Sequence, residues 1–392
     1  MASQTIQAAE TSKEEDFQTG EVLTIVGGHF VHDTFSAFLS PLLPLIIERL
    51  SLSLTLAGSL QAFMQLPSLL TPFIGHMADR VSVRYFVIIA PAVTATLMSL
   101  LGLASNYATL VIILLATGAS VACFHAPAPA MIGRISGSQV GKGMSFFMAG
   151  GELGRTLGPL LVIWAITTLT LDGYYQIMVI GWVTSFILYL RLRRIPARGS
   201  TPKDLKSILP TMWRLFWPIL IFIFFRAFLL VPPSIFLPTY MNLKGSSLLL
   251  SAGALSIWEL AGVGGALTGG ILSDHMGRKI ILLVGLASAI ILTIVFLNVS
   301  GWLLAPVLLA LGFVSLSGTP VLFAIVQEHL PDNRAVGSGI FIAMNFLARP
   351  LAIVVIGLLG DNFGLDTAYF WGAIISIGAI PAIYFLPELK GT

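Results

Sequence analysis

The chain has 392 residues, of which 56% are hydrophobic and 10% charged, against roughly 25% charged residues in soluble domains. That deficit, with a net charge of only +3, excludes a soluble domain and leaves no basic surface with interleaved aromatics for nucleic acid. The one cysteine, Cys123, lies in an apolar run, which excludes intrachain disulfides and thiolate metal centres.

In chain order, residues 1–21 are polar and acidic (Glu10, Glu14, Glu15, Asp16, Glu21) and lack the charged-then-apolar pattern of a signal peptide. They read as a disordered cytosolic tail. From residue 22 onward, apolar runs of about 20 residues recur, each enough to cross roughly 30 Å of hydrocarbon as a helix. A bilayer offers no partners to backbone N–H and C=O groups, so these runs must be helices. Six spans are expected within 22–194, at 22–47, 56–78, 84–104, 107–131, 143–168 and 174–194. A segment containing Pro and Lys/Arg, 195–212, reads as a cytosolic linker between halves. Six further spans are expected within 213–392, at 213–241, 249–272, 279–297, 302–326, 338–360 and 367–386.

Lys and Arg crowd one set of loops, including Arg80, Arg84, Arg134, Lys142, Arg191, Arg193, Arg194, Arg278, Lys279 and Arg334. Only Arg49 and Lys244 fall on the other set. Cationic loops stay in the cytoplasm, so the expected protein is a multi-pass inner (plasma) membrane protein with both termini cytosolic.

The halves overlay at an offset of 194: Pro44 falls on Pro238, His32 on Arg226, Leu153 on Leu347 and Arg155 on Arg349. Internal repeats of this kind predict two pseudo-symmetric six-helix bundles, with a ligand site near mid-membrane between them.

Six formal charges lie inside the apolar runs: Asp33, Glu152, Arg155, Arg226, Glu259 and Arg349. A charge at the bilayer centre costs on the order of 2.5–3.5 kcal/mol on insertion scales, so these groups should face a water-accessible chamber or one another. His29 and Asp33 are four apart, on one face of the first span. An imidazole titrates near neutrality, so this pair, with His32 beside it, can take up and release a proton. The same residues could instead fix helix packing, or His29, His32 and Asp33 could hold a metal, though one helix supplies few ligands. His125, in Phe124-His125-Ala-Pro127-Ala-Pro129, lies where two prolines loosen the fourth span and is placed either against substrate or in the core. Glu152 and Arg155 are three apart and can form an internal ion pair. Arg155 and Arg349, related by the overlay, can alternatively clamp an anion from two sides. Arg226 and Glu259 either bind substrate or neutralise each other.

Two loops share one pattern: Gly75-His-Met-Ala-Asp79-Arg80 and Gly270-Ile-Leu-Ser-Asp274-His-Met-Gly277-Arg278-Lys279. They resemble the loop between the second and third helices of major facilitator superfamily transporters and its repeat between the eighth and ninth. The first copy has Ser82 and Val83 where that family carries Gly and Arg. The resemblance implies gating by Gly75, Asp79, Arg80, Gly270, Asp274 and Arg278. From Gly154 to Pro159 the fifth span resembles the Gly-x-x-x-Gly-Pro motif of antiporter branches. His29-x-x-x-Asp33, Phe124-His125 and Gly150-Gly151-x-x-Gly154 resemble fosmidomycin-resistance-type exporters.

That likeness implies proton-driven efflux of a small polar or anionic compound by alternating access, and drug resistance as its setting. Asp33 with His29 or His32 would be the proton site, with Glu152 and Glu259 in reserve. Arg155, Arg226, Arg349 and His125 would hold the substrate. No cofactor other than a proton gradient and no metal is expected; analogy with such transporters implies a monomer in the lipid bilayer. The alternatives are uptake or uniport of a carboxylate- or phosphate-bearing metabolite, a membrane-embedded enzyme, and a non-transporting sensor. The enzyme reading lacks a nucleophile with a matching base, a complete metal triad and a phosphate loop.

Overall fold

A computed structural model describes residues 17–70, 84–137, 139–193, 209–330 and 334–387, and among these all regular structure is helical. The first half runs α1 (Thr19–Leu50), α2 (Leu54–Gln65), α3 (Arg84–Leu103), α4 (Tyr107–Ile135), α5 (Val140–Leu169) and α6 (Tyr174–Leu192). The second runs α7 (Trp213–Leu243), α8 (Leu248–Met276), α9 (Arg278–Asn298), α10 (Gly301–His329), α11 (Arg334–Phe363) and α12 (Leu365–Phe385). Among the described residues, ten candidate membrane spans are long and apolar enough to cross a bilayer. The other two expected spans are 56–78, of which α2 is the first part and 71–78 lie outside the described residues, and 143–168, which falls within α5, a helix of 30 residues carrying Glu152 and Arg155.

Two expected boundaries shift by about a turn. Helix α1 begins at Thr19, inside the expected tail, with Glu21 in its first turn. A carboxylate there complements the positive end of the helix dipole, so its charge marks a helix start and not a tail. The helical backbone leading into α7 begins at Leu209, inside the expected linker, with Pro210 in its first turn. Proline is tolerated there because that N–H has no intrahelical partner. The remainder of the expected tail, 1–16, and most of the linker, 195–208, lie outside the described residues.

Proline-rich stretches interrupt three helices. In α1 the backbone breaks at Ala37–Phe38, before Pro41 and Pro44. Helix α4 breaks after His125, and α7 opens into a π-helical turn over Pro232–Phe236. Each break leaves backbone groups that need polar neighbours, and all three sit near the charged residues of the sequence.

The 194-residue offset recurs in local detail. Ser53 caps α2 and Ser247 caps α8, each side chain accepting from the N–H three residues on. Left-handed residues close α1 and α7 at Ser51 and Gly245, and stand beyond α5 and α11 at Thr170 and Gly364. Arg49 pairs with Asp172 at 2.7 Å, and Lys244 with Asp366 at 2.9 Å. Equivalent residues meet on the pseudo-two-fold axis, where Ser40 Oγ donates to the Ser234 carbonyl at 3.0 Å.

Small residues set the close approaches. A Cβ on Gly154 would lie 2.4 Å from the Phe30 carbonyl, and one on Gly158 2.5 Å from that of Thr34, so α5 rides directly on α1. The halves meet through α5 with α8 and α2 with α11. At the end of the bundle opposite Thr19, Asp361 of α11 accepts from Leu54 N at 2.5 Å, Thr55 N at 3.0 Å and Thr55 Oγ1 at 2.5 Å. A carboxylate from one half thus caps a helix of the other.

Candidate functional site

The first polar centre forms around Asp33, which is buried on α1. Its Oδ2 lies 3.3 Å from His29 Nε2, and its Oδ1 lies 3.0 Å from His32 Nδ1 and 3.4 Å from His125 Nε2. The one-turn spacing of His29 and Asp33 accounts for the first contact. His125 arrives from α4 at the break before Pro127. Gly151 of α5 leaves the room, because a Cβ there would fall 2.4 Å from the His29 ring and 3.0 Å from Asp33 Oδ2. Phe147 stacks on His29 at 3.9 Å between centroids, and Phe124 on His32 at 4.5 Å, closing the apolar sides.

Backbone carbonyls fix the tautomers of two rings. His29 Nδ1 is 2.8 Å from the Phe147 carbonyl and His125 Nδ1 is 3.0 Å from the Val121 carbonyl. A carbonyl only accepts, so both Nδ1 atoms donate and both Nε2 atoms carry the lone pair when the rings are neutral. Yet those Nε2 atoms are 3.2 Å apart and both face Asp33. Lone pairs in that contact repel, so the arrangement calls for a cation in their midst, and a proton on one ring suffices. The donor atoms of His29, Asp33 and His125 lie within 4.8 Å of one another, a spacing that would also admit a larger cation. His32 extends the network: its Nε2 is 3.2 Å from Thr94 Oγ1, which donates to Ser120 Oγ at 2.9 Å, which donates to the Ala90 carbonyl at 3.2 Å. Thr94 and Ser120 were not legible in the sequence, since isolated hydroxyls in apolar helices carry no pattern.

The second centre lies between the halves. Arg155 of α5 is paired with Glu152 one turn away, and its Nε reaches Glu259 Oε2 of α8 at 3.9 Å. Arg349 of α11 donates from Nη2 to Ser234 Oγ at 2.9 Å. Ser234 is the residue whose carbonyl meets Ser40, so Arg349 stands beside the pseudo-two-fold axis.

Arg226 is placed elsewhere. It is buried within the second half, donating to the Ser315 carbonyl at 2.5 Å and to Thr319 Oγ1 at 3.2 Å. A small cavity lined by Phe222, Leu229, Leu286 and Gly318 adjoins it. The alternative of mutual neutralisation with Glu259 is therefore not realised: Glu259 faces Arg155 across the halves, and polar groups of α10 hold Arg226.

At the loop between α8 and α9, Asp274 Oδ1 lies 2.6 Å from Arg278 Nη2. Arg278 also contacts Ser273 and Glu328, tying the loop to α10. Asp274 is thus held by a pairing with arginine one turn away. Gly270 lies in the last turns of α8, and Gly277 turns the chain with φ +94°. Gly75, Asp79 and Arg80 lie outside the described residues.

Comparison with known proteins places this architecture. The family model described as Major Facilitator Superfamily matches residues 25–353. The chain is 24% identical over 370 residues to the fosmidomycin resistance protein of Escherichia coli (strain K12), covering 92% of this chain and 91% of that one. It is also 24% identical over 384 residues to the uncharacterized MFS-type transporter YfnC of Bacillus subtilis (strain 168), covering 94% and 92%. In fold it is similar to a D-xylose–proton symporter, with TM-score 0.77 and 16% identity over 96% of this chain and 100% of that one. It is likewise similar to a mutant form of the nucleoside transporter NupG, with TM-score 0.75 and 15% identity over 94% and 100%. At such identities these two solved structures speak for the fold alone. The matched family model spans most of the chain, through both halves and both polar centres: this protein belongs to the major facilitator superfamily and is a multi-pass integral membrane transporter.

Proposed function

We propose that this chain is a proton-coupled secondary transporter that exports a small organic anion or zwitterion by alternating access. The observation that carries the reading is the Asp33 cluster. A buried carboxylate shares its oxygens among three imidazoles from two helices, in a geometry that calls for a cation. His29, His32 and Asp33 on α1, His125 on α4 and the nearby Arg155 on α5 are the charged or titratable groups that face this point. Taking up a proton there relieves lone-pair repulsion, and releasing it favours separation of α1 from α4. Arg155, Glu259 and Arg349 are the groups that would meet substrate where the halves join. Glu152 would hold Arg155 in place when no substrate is bound.

The similarity to a fosmidomycin resistance protein supports efflux, and the crowding of Lys and Arg on one set of loops supports cytosolic termini. Membership of a transporter superfamily sets aside the membrane-enzyme alternative. Asp274 and Arg278 would gate the cytosolic end, breaking their pairing as the bundle rocks.

Flux of a candidate anion into inside-out and right-side-out vesicles, with and without a pH gradient, tests the reading. Expected is gradient-driven movement out of the cytosolic side that Asp33→Asn abolishes while substrate binding persists. Movement indifferent to the gradient and intact in Asp33→Asn would overturn the coupling. A requirement for an added divalent metal in place of the gradient would reassign the cluster.

A further inference from the structure

The charges between the halves point to a narrower substrate class, an inference that rests on the transporter reading above. From α5 come Glu152 and Arg155, from α8 Glu259 and from α11 Arg349, two acids and two bases. Arg155 has a close partner in Glu152. Glu259 does not: its one ion-pair contact among the described residues is with Arg155 Nε at 3.9 Å, the outer limit of an ion pair. Its side chain retains 15% exposure, enough to be reached by water. Among the described residues Arg349 has no carboxylate within ion-pair distance, and its one side-chain hydrogen bond is to Ser234 Oγ.

Both arginines also hold an unused donor. The Nε of Arg155 and the Nε of Arg349 are buried without a hydrogen-bond acceptor. Buried donors in native proteins nearly always have a partner, so two orphaned guanidinium N–H groups on opposite halves mark a place for acceptor oxygens. Arg349 and Glu259 lie within electrostatic reach of each other. A ligand offering only an oxyanion would answer the arginines and leave Glu259 facing a second negative charge. One offering only an ammonium group would leave the donors unmet.

We infer that the transported compound is a zwitterion, with an oxyanion taken by Arg349 and Arg155 Nε–H groups and an ammonium group taken by Glu259. The four protein charges sum to zero, so a net-neutral ligand fills the site without adding charge to it. Arg155 then exchanges its long contact with Glu259 for the ligand oxyanion, which frees Glu259 for the ammonium.

The test uses the full chain in detergent and in proteoliposomes. Its probes are linear ω-amino acids of three to six carbons, the fatty acids of the same lengths and the corresponding primary amines. Thermal shift and radiolabel binding should favour at least one amino acid by tenfold or more over both its fatty acid and its amine. Glu259→Gln should erase that preference by weakening the amino acid and sparing the fatty acid. Arg349→Gln should weaken both. Glu259→Asp provides a charged control should the glutamine variant fold poorly, and the wild-type preference requires no variant. Equal or tighter binding of the fatty acid, or binding of no probe by protein with an intact melting transition, overturns the inference. The two readings fail differently. Flux of the fatty acid alone would leave the transporter standing and sink the zwitterion, whereas amino-acid binding without flux would do the reverse.

Discussion

Asp361 offers a measurable handle on how the halves are held together. Its carboxylate accepts from two backbone N–H groups at the start of α2 and from the Thr55 hydroxyl. Those donors would otherwise be free helix-end groups facing solvent. A capping carboxylate contributes about 0.5–2 kcal/mol, and its charge against the helix dipole adds about 0.3–1 kcal/mol at exposed sites. Asp361 is exposed, so solvent screening keeps the sum near the low end, about 1–2 kcal/mol. The whole of it belongs to the arrangement in which α2 and α11 touch, because each partner returns to water when the halves part. Asp361→Ala should therefore shift the balance toward separation at this end by a factor of about 5–30. Spin labels at Leu103→Cys and Leu243→Cys, on a Cys123→Ser background, sit at this end on opposite halves; their distance distribution reads the change directly. Asp366→Asn is the control, since the Asp366 contacts with Tyr240 and Lys244 stay within the second half. An unchanged distribution in Asp361→Ala, or an equal change in Asp366→Asn, would refute the reasoning.

Further outcomes follow from the packing and the charges. Gly154→Leu should lower the melting temperature sharply, because its Cβ would enter contact with the Phe30 carbonyl and overpacking costs about 1–3 kcal/mol or more. Gly253→Ala, with nothing within 4 Å of the added carbon, should be neutral or stabilising in the same assay. Arg226→Met should keep or raise the melting temperature, since a buried cation held by neutral groups carries a desolvation penalty that an apolar side chain of similar length avoids; a large fall would show that its contacts outweigh that penalty. Lys244→Ala should cost no more than about 1 kcal/mol, as expected of an exposed ion pair, in denaturant or thermal titration.

The helical architecture was legible because a bilayer leaves an apolar run of this length no other fold. The repeat was legible too, and the matched caps at Ser53 and Ser247 show why: each half must start and stop its helices at the same places. Helix boundaries were less so, since Glu21 reads as tail until its dipole partner is known. At the site, one-turn spacing sufficed to join His29 to Asp33 and Glu152 to Arg155. Contacts between helices were not readable: the approach of His125 depends on the α4 break, and that of Glu259 on how the halves dock. The suggested Arg226–Glu259 neutralisation failed for that reason, because opposite charge in neighbouring helices says nothing about which face each presents. Asp361 falls one residue past the expected span 338–360, and its capping role depends on the start of α2 lying beside it, which no sequence pattern shows.

The residue following α5 has one more consequence. Thr170 holds φ 68° and ψ 166°, and its counterpart Gly364 holds φ 81° and ψ 160°. That backbone region is almost exclusive to glycine, and a branched side chain there stores about 1–3 kcal/mol of strain. The second copy has the comfortable residue there and the first copy the uncomfortable one. Borrowing the glycine, as Thr170→Gly, should yield a protein that survives purification at higher temperature with its flux intact. The duplicated chain thus carries, in one repeat, the remedy for a weakness in its sibling.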